Sequence, residues 1–210
     1  MSVRRWSITT FLLSLIASLL VITAPVPAAT AAPVEITEGS VTWGIKQSWR
    51  NYVGDGQFLS AGVERNEDGT FRFPVRGGSF DPDTHALTLE LGGTVRFAAY
   101  CDDYQAYTDC MLDSTFSELS LTIAPDRQEL RGTYAGRPRE DTSAPIETNV
   151  DVPLVFIDAS GTEPDTEGGT TRWAGLPSVA SDQLILYGAG TPMDPVSIEY
   201  QGPGGAPDLG

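Results

Sequence analysis

Apolar and polar residues alternate with a period of two along most of this chain, the pattern of half-buried β-strands. The alternation is clearest at residues 71–75, 87–91, 95–99 and 119–123. Four more segments with strand character are residues 130–134, 152–157, 183–187 and 196–200. The pattern predicts an antiparallel β-domain of about eight strands.

Turn signals separate these strands and indicate how they connect. Gly92-Gly93 stands between two strongly alternating segments, which predicts a β-hairpin with residues 87–91 and 95–99 as its arms. Residues 158–169 are rich in Gly, Thr and acidic residues and are expected to form a loop. Residues 202–210 are expected to form a flexible tail.

One segment, residues 41–52, follows the period of a helix instead. Ile45, Ser48, Trp49 and Tyr52 stand at positions i, i+3, i+4 and i+7, which predicts one helical stripe. A phenol and a hydroxyl four residues apart, between apolar side chains, suit a flat apolar ligand with a metal at its centre. The alternative is a helix packed on the sheet, with the Tyr52 hydroxyl bonded to a carbonyl.

The first 31 residues have the pattern of a secretory signal peptide: Arg4-Arg5, a short apolar run, then prolines and small residues. The apolar run is too short for a permanent membrane span, and no other run of sufficient length follows. Removing this segment leaves 11 basic against 28 acidic residues, a net charge of −17. Such a chain repels nucleic acid and anionic lipid.

The chain has two cysteines, Cys101 and Cys110. In an exported protein, a pair this close predicts a disulfide that closes a small loop. A metal site made of these cysteines and the neighbouring Asp residues is the weaker alternative, because mixed soft and hard ligands suit no common metal well.

The chemistry of the common enzyme classes is missing from the sequence. His85 is the only histidine, and it lies in a predicted turn, so a Ser-His-Asp or Cys-His apparatus has little support. The motifs of serine hydrolases, zinc proteases, P-loop proteins and c-type haem attachment are absent. The carboxylates leave a glycosidase open as a remote alternative, although no spacing singles out a pair.

Six motifs, in order, carry a resemblance to a known family. The opening motif is Trp43-Gly-Ile-Lys-Gln-Ser-Trp-Arg-Asn-Tyr52. The others are residues 73–82, 93–97, 112–119, 173–177 and 187–195. Together they resemble one copy of the HtaA-type haem-binding domain of secreted and surface haem-uptake proteins in actinobacteria. The resemblance places this domain at residues 37–201.

The resemblance implies a set of binding residues. The family binds ferric haem through a tyrosine of the opening helix, with a serine one turn earlier, and these positions correspond to Tyr52 and Ser48. The family also has a histidine near the end of the central strand, where this chain has Tyr100. Tyr100 then either supplies a hydroxyl instead or marks a copy with weakened haem binding.

Further candidates come from the opening helix itself. Ile45 and Trp49 are expected to pack against the haem, and Lys46 and Arg50 to offset the negative charge of its propionates. These two cations also fit ordinary exposed helix charges.

The sequence therefore predicts an exported haem carrier or scavenger and not an enzyme. Tyr52 would ligate the iron of ferric haem b, and haemoglobin or another haem protein would act as donor or acceptor. The location would be secreted or at the cell surface, without a permanent membrane span. The rival hypothesis is a β-domain of the same fold that binds no haem and acts as an adhesin or protein-binding module.

Overall fold

The computed structural model of the protein describes residues 31–138 and 141–209. The predicted signal peptide lies outside the described residues, apart from Ala31. The described chain is mainly β with one helix, as predicted. No helix in this part is long and apolar enough to span a bilayer. The elements are β1 (Val34–Glu35), β2 (Gly39–Trp43), α1 (Gln47–Val53), β3 (Gln57–Ser60), β4 (Glu64–Arg65), β5 (Phe71–Phe80), β6 (Leu87–Leu91), β7 (Thr94–Asp103), β8 (Thr108–Ala124), β9 (Arg127–Gly136), β10 (Glu147–Ile157), β11 (Asp165–Glu167), β12 (Thr170–Ala180) and β13 (Pro192–Gln201).

The main sheet closes on itself, because β6 pairs with both β5 and β8. The closed part has eight strands in the order β5, β2, β13, β12, β10, β9, β8 and β6. All of their pairings are antiparallel. Alternate residues point inward along much of these strands, and the ring encloses a core of fully buried side chains that includes Val41, Phe73, Leu89, Leu121 and Leu130.

The predicted hairpin across Gly92-Gly93 is wrong. No pairing joins β6 to β7; both strands instead run in the same direction along one edge of β8. Leu87 pairs with Ile123, and Thr94 pairs with Ser117 farther along. Gly93 has a φ of +92°, so the glycines make a kink and not a reversal. With 17 residues, β8 is long enough to pair with both strands.

The helix is shorter than the pattern predicted. Residues 41–43 belong to β2, and α1 begins only at Gln47. Ile45 has a φ of +60° and lies in the fully buried core, so it is not part of the helical stripe. Gly54, also at positive φ, ends the helix, and its N–H donates to the Arg50 carbonyl at 3.0 Å.

The strand predicted at residues 183–187 is also wrong. Residues 181–191 connect β12 to β13 through turns. The Ser181 hydroxyl oxygen accepts the N–H groups of Gln183 and Leu184, at 3.1 and 3.3 Å. Leu184 and Leu186 are buried all the same. Two buried leucines two positions apart therefore belong here to a loop that packs into the core. Alternation in the sequence alone cannot distinguish such a loop from a strand.

The segment after β13 was predicted to be a flexible tail, and its residues 202–209 lie against the end of the sheet farthest from α1. The Tyr200 hydroxyl donates to the Pro203 carbonyl at 2.9 Å, and Nδ1 of His85 lies 2.9 Å from the Ala206 carbonyl. Ala206 is buried. His85 itself is an exposed turn residue, as expected. Gly210 lies outside the described residues.

Candidate functional site

A carboxylate from β13 holds α1 in place. The helix has no side-chain cap of its own at Lys46. Asp194 accepts the N–H of Gln47 at 2.9 Å and forms a short ion pair with Arg50. The Asp194 N–H in turn donates to the Ile45 carbonyl at 2.9 Å. Because both termini of a short helix leave backbone groups unpaired, this distant carboxylate does the work of a cap and fixes the helix direction.

The outward side of α1 carries Trp49 and Tyr52. The Trp49 ring packs edge-on against Phe97 of the core, at 6.2 Å between centroids, and its indole is 6.2 Å from the Tyr52 ring. Trp49 thus links the core to Tyr52, which is 59% exposed. A large aromatic ring held on a folded helix and left open to solvent is available to a ligand.

Tyr100 of β7 lies beside Tyr52, with ring centroids 5.6 Å apart, so the structure brings these two predicted residues together. The pKa of Tyr100 is raised above its usual value, mainly by a hydrogen bond with Tyr52 and to a smaller extent by partial desolvation. A hydrogen bond that raises a phenol's pKa stabilises its protonated form. The two phenols are therefore partners in this bond, and either hydroxyl can donate.

A cavity of about 550 Å³ opens beside the two phenols. This volume is within the usual range for sites that bind small molecules or cofactors. Its lining is mostly apolar and comes from five parts of the chain. The lining residues are Trp49 and Tyr52 of α1, Tyr100 of β7, Met111, Leu112, Asp113 and Ser114 of β8, Arg137, Pro138 and Thr142 after β9, and Leu186, Tyr187 and Thr191 before β13.

Two charged side chains line this cavity, and they differ in their partners. Asp113 is bound by both Nε and Nη2 of Arg96, at 2.9 and 2.8 Å, so its charge is already balanced. That contact is the main reason why the pKa of Arg96 is raised. Arg137 bonds instead to the backbone carbonyls of Cys110 and Ala144.

Ser114 of the lining is bonded to a tyrosine of the core that does not line the cavity itself. Ser114 Oγ and Tyr134 Oη are 3.0 Å apart, and both residues are buried. Burial raises the pKa of Tyr134 to about 12. This phenol is thus protonated at neutral pH and unsuited to bind a metal ion there.

The other residues predicted for the site do not join Tyr52 in the lining. Ile45 is in the core, and Ser48 is exposed with no hydrogen-bond partner among the described residues. Arg50 is buried against Asp194 and Gly44, so neither role predicted for it, charge at the site or exposed helix charge, fits the structure. Lys46 borders the cavity: Nζ donates to the Pro192 carbonyl and lies 5.8 Å from the centre of the Tyr187 ring.

The predicted disulfide is confirmed. Cys101 and Cys110 are bonded at the outer end of the β7–β8 hairpin, directly after Tyr100. The bond ties together the two strands that supply Tyr100 and Met111 to the cavity. In the described part of the chain, no group of three or more His, Cys, Asp or Glu side chains is placed to hold a metal ion.

Sequence reasoning missed Arg137, Met111 and Tyr187. Tyr187 had a signal, since it opens one of the motifs in residues 187–195 that carry the family resemblance. Arg137 directly follows β9, where the alternation of that strand stops, and nothing in the sequence shows which end of the sheet this is. Met111 lies in the part of β8 that precedes the predicted strand.

Comparisons with known proteins agree with this architecture. The sequence model of the family described as Htaa matches residues 38–199. The N-terminal domain of HtaA from Corynebacterium glutamicum has a similar structure, with a TM-score of 0.65 at 20% identity, over 80% of this chain and 98% of that one. The C-terminal domain of the same protein gives 0.65 at 18% identity, over 80% and 98%.

A third similar structure is the heme binding protein HtaB from Corynebacterium glutamicum, with a TM-score of 0.61 at 20% identity, over 81% of this chain and 96% of that one. A comparison with curated proteins gives no match. Identities this low support the fold alone. The match to the family spans well over half of the sequence, so the chain belongs to the HtaA family.

Proposed function

We propose that this protein binds ferric haem in the cavity between α1 and the β7–β9 strands, with Tyr52 as the ligand of the iron. The observation that carries the proposal is the pair of hydrogen-bonded phenols at the mouth of an apolar cavity. The family match supports it, and so does the similarity to HtaB, a heme binding protein with the same fold.

The residues around the cavity fit haem chemically. The macrocycle is flat and apolar, and Trp49, Met111, Leu112 and Tyr187 offer it apolar and aromatic surface. Fe(III) is a hard cation that accepts an anionic phenolate, as tyrosine provides in catalase. Tyr52 is exposed enough to present its oxygen to a ligand in the cavity.

Tyr100 is proposed as the positioning residue for Tyr52. The family resemblance puts a histidine at this position, and a histidine there could donate a hydrogen bond to the iron-bound tyrosine. The Tyr100 hydroxyl is already hydrogen-bonded to Tyr52 and is able to donate to its oxygen, so it can take over this role. A donor next to a ligand atom orients that atom and tunes its basicity.

The proposed role is haem transport for iron uptake by an exported protein, not catalysis. A single phenolate ligand favours Fe(III) over Fe(II), so reduction should weaken the bond and release the haem. Release of this kind would allow transfer to another haem protein. Dithionite reduction followed by transfer to apomyoglobin tests this step, and a reduced complex that keeps its haem as long as the ferric one contradicts it.

The direct test of the ligand is a titration with ferric haem, followed by the Soret band. The parent should saturate at one equivalent, and Tyr52→Phe should lose most of this binding because only the phenolic oxygen is removed. Tyr104→Phe is a matched control, since Tyr104 is a nearby tyrosine that is 62% exposed and does not line the cavity. Equal titrations for Tyr52→Phe and the parent would rule out Tyr52 as the ligand. No titration by the parent would instead favour the haem-free binding module.

Tyr100 is tested by the rate at which haem leaves. Tyr100→Phe should release haem faster than the parent, because it removes the donor to Tyr52. Tyr100→His should retain haem at least as long as the parent, since it restores a donor. Unchanged rates for both variants would show that residue 100 does not act on the iron ligand.

A further inference from the structure

We infer that Arg137 is the anion anchor of the cavity, and that it selects porphyrins with free carboxylates over their uncharged esters. This inference rests on the proposed function and adds to it the class of ligand and the residue that recognises it. The cations predicted for this task were Lys46 and Arg50. Arg50 is committed to Asp194, and Lys46 only borders the cavity.

The first argument is how the guanidinium of Arg137 is held. Its Nε donates to the Cys110 carbonyl at 3.3 Å, and Nη1 makes a short bond to the Ala144 carbonyl. Both acceptors are neutral backbone groups, one on β8 and one in the segment before β10. The side chain is thereby fixed, and no carboxylate of the described residues forms an ion pair with it. A fixed guanidinium is well suited to a carboxylate, because two parallel N–H groups match its two oxygens.

The second argument is the charge balance of the lining. Among the described residues, no carboxylate lies within ion-pair distance of Arg137. The acid in the lining, Asp113, is neutralised by Arg96. Of the two charged side chains in the described lining, the one without an ion-pair partner is therefore positive, although the chain has a net charge of −15. This positive charge attracts an anionic ligand that the rest of the surface repels.

The third argument is the order of groups across the sheet. Tyr100 is on β7, Met111 and Leu112 are on β8, and Arg137 directly follows β9; these three strands are neighbours. Adjacent strands are about 4.8 Å apart, so the row from phenol to guanidinium spans roughly 10 Å. The row runs from the phenol beside the proposed iron ligand, over an apolar surface, to a cation. A porphyrin presents the complementary order from its iron, over its ring, to a propionate.

The test compares acid and ester forms of one ligand. The dissociation constants of ferric haem and of its dimethyl ester would be measured for the parent, Arg137→Gln and Arg76→Gln. Gln keeps much of the length of Arg and its ability to donate to carbonyls but has no charge. Arg76→Gln is the control for net charge, since Arg76 is an exposed arginine on β5 that has no ion pair in the described part and lies outside the cavity.

The parent should bind the acid at least about tenfold more tightly than the ester, the scale of one charge-assisted hydrogen bond. Arg137→Gln should lose this preference by weakening acid binding alone, and Arg76→Gln should keep it. Metal-free protoporphyrin IX, followed by quenching of tryptophan fluorescence, should show the same preference, because the anchor acts on the carboxylate and not on the iron.

Several results would overturn the anchor. One is a parent that binds acid and ester equally, a measurement that needs no variant. Another is an Arg137→Gln protein that keeps the preference or weakens both forms alike. If Arg137→Gln does not fold, Arg137→Lys replaces it, and retained preference is then expected because the charge remains. A parent that binds no haem refutes the proposed function together with the anchor. A parent that binds haem without preferring the acid refutes the anchor alone.

Discussion

Two aromatic clusters meet at Trp49, and they differ in what surrounds their rings. The core cluster consists of Trp43, Phe71, Phe97, Phe116 and Tyr134, all fully buried and packed mainly edge-on or tilted. The rim cluster consists of Trp49, Tyr52, Tyr100 and Tyr187 at the cavity. Rings of the same chemical class thus stabilise the fold in one place and line an open cavity in the other.

The hydroxyl groups show the same contrast. The Tyr134 hydroxyl is hydrogen-bonded to Ser114 inside the core. The rim phenols bond to each other at the surface, where solvent or a ligand can reach them. Burial therefore decides whether a tyrosine contributes packing energy or remains available for binding. The comparison predicts that core substitutions reduce stability, whereas rim substitutions reduce binding and leave stability nearly unchanged.

The largest effect is expected for Phe116→Ala. Phe116 contacts Trp43, Phe97 and Tyr134, and its removal leaves a cavity in the core. The free energy of unfolding should fall by about 3–5 kcal/mol. Tyr52→Ala, its rim counterpart, should lower it by less than about 1 kcal/mol. Urea unfolding followed by circular dichroism measures both values, and similar losses for the two variants would contradict the comparison.

Asp194→Ala should come next, with a loss of about 3 kcal/mol. The substitution leaves Arg50 buried without its counter-ion and the first turn of α1 without a cap. Glu199→Ala, on the same strand, is the matched control. Glu199 pairs with Arg172 at the surface, where both side chains are nearly half exposed, so a loss below about 1 kcal/mol is expected.

Haem titration of Asp194→Ala tests whether the rim cluster needs the fixed direction of α1 in order to bind haem. Its binding should weaken even where the protein is still folded, because the helix that presents Tyr52 has lost its fixed direction. Binding equal to that of the parent would mean that the core contacts of Trp49 alone position the rim cluster.

Removal of the disulfide should cost roughly 2–3 kcal/mol in a variant with both Cys101→Ala and Cys110→Ala. Its haem off-rate should also rise, since Tyr100 precedes the bonded cysteine and the hairpin end becomes looser. Thermal unfolding and transfer to apomyoglobin measure the two effects. Thiol labelling of the unreduced parent is the check on the starting state, and two reactive thiols would contradict the bond.

A small loss of stability at neutral pH, about 1 kcal/mol, is expected for Tyr134→Phe because its bond to Ser114 is lost. At alkaline pH the variant should become more stable than the parent. Burial raises the pKa of Tyr134 to about 12, against about 10 in the unfolded chain. The stability that the protonated Tyr134 gives the parent is complete below pH 10 and is lost as the pH rises from about 10 to 12.

Stability curves measured from neutral pH to alkaline pH therefore separate parent and variant. The parent should lose stability above pH 10 more steeply than Tyr134→Phe. Part of the slope should remain in the variant, because burial also raises the pKa of Tyr200 to about 12. Identical slopes for parent and variant would mean that the core phenol is more accessible to solvent than its burial indicates.

Local pattern was sufficient for much of this fold. Alternation located β5 and β9, because each side chain of a half-buried strand reports its own burial. It missed β12, where Gly175 and Pro177 interrupt the pattern and register shifts absorb them. It also joined β6 and β7 in a hairpin, because a Gly-Gly pair looks the same at a kink as at a reversal.

The candidate site shows the same division. Tyr52 and Tyr100 were found from motifs, and the disulfide was found from the close spacing of two cysteines in a chain predicted to be exported. The sequence by itself determined the fold class, the family and these residues, since each depends on neighbours in the chain. Only the tertiary structure determined which cations at the site are paired with a carboxylate. Asp194, 144 positions away in the chain, forms an ion pair with Arg50, whereas Arg137 lines the cavity without an ion pair among the residues that the structure describes. Whether a cation is neutralised depends on which carboxylate lies beside it in space, and sheet closure determines that.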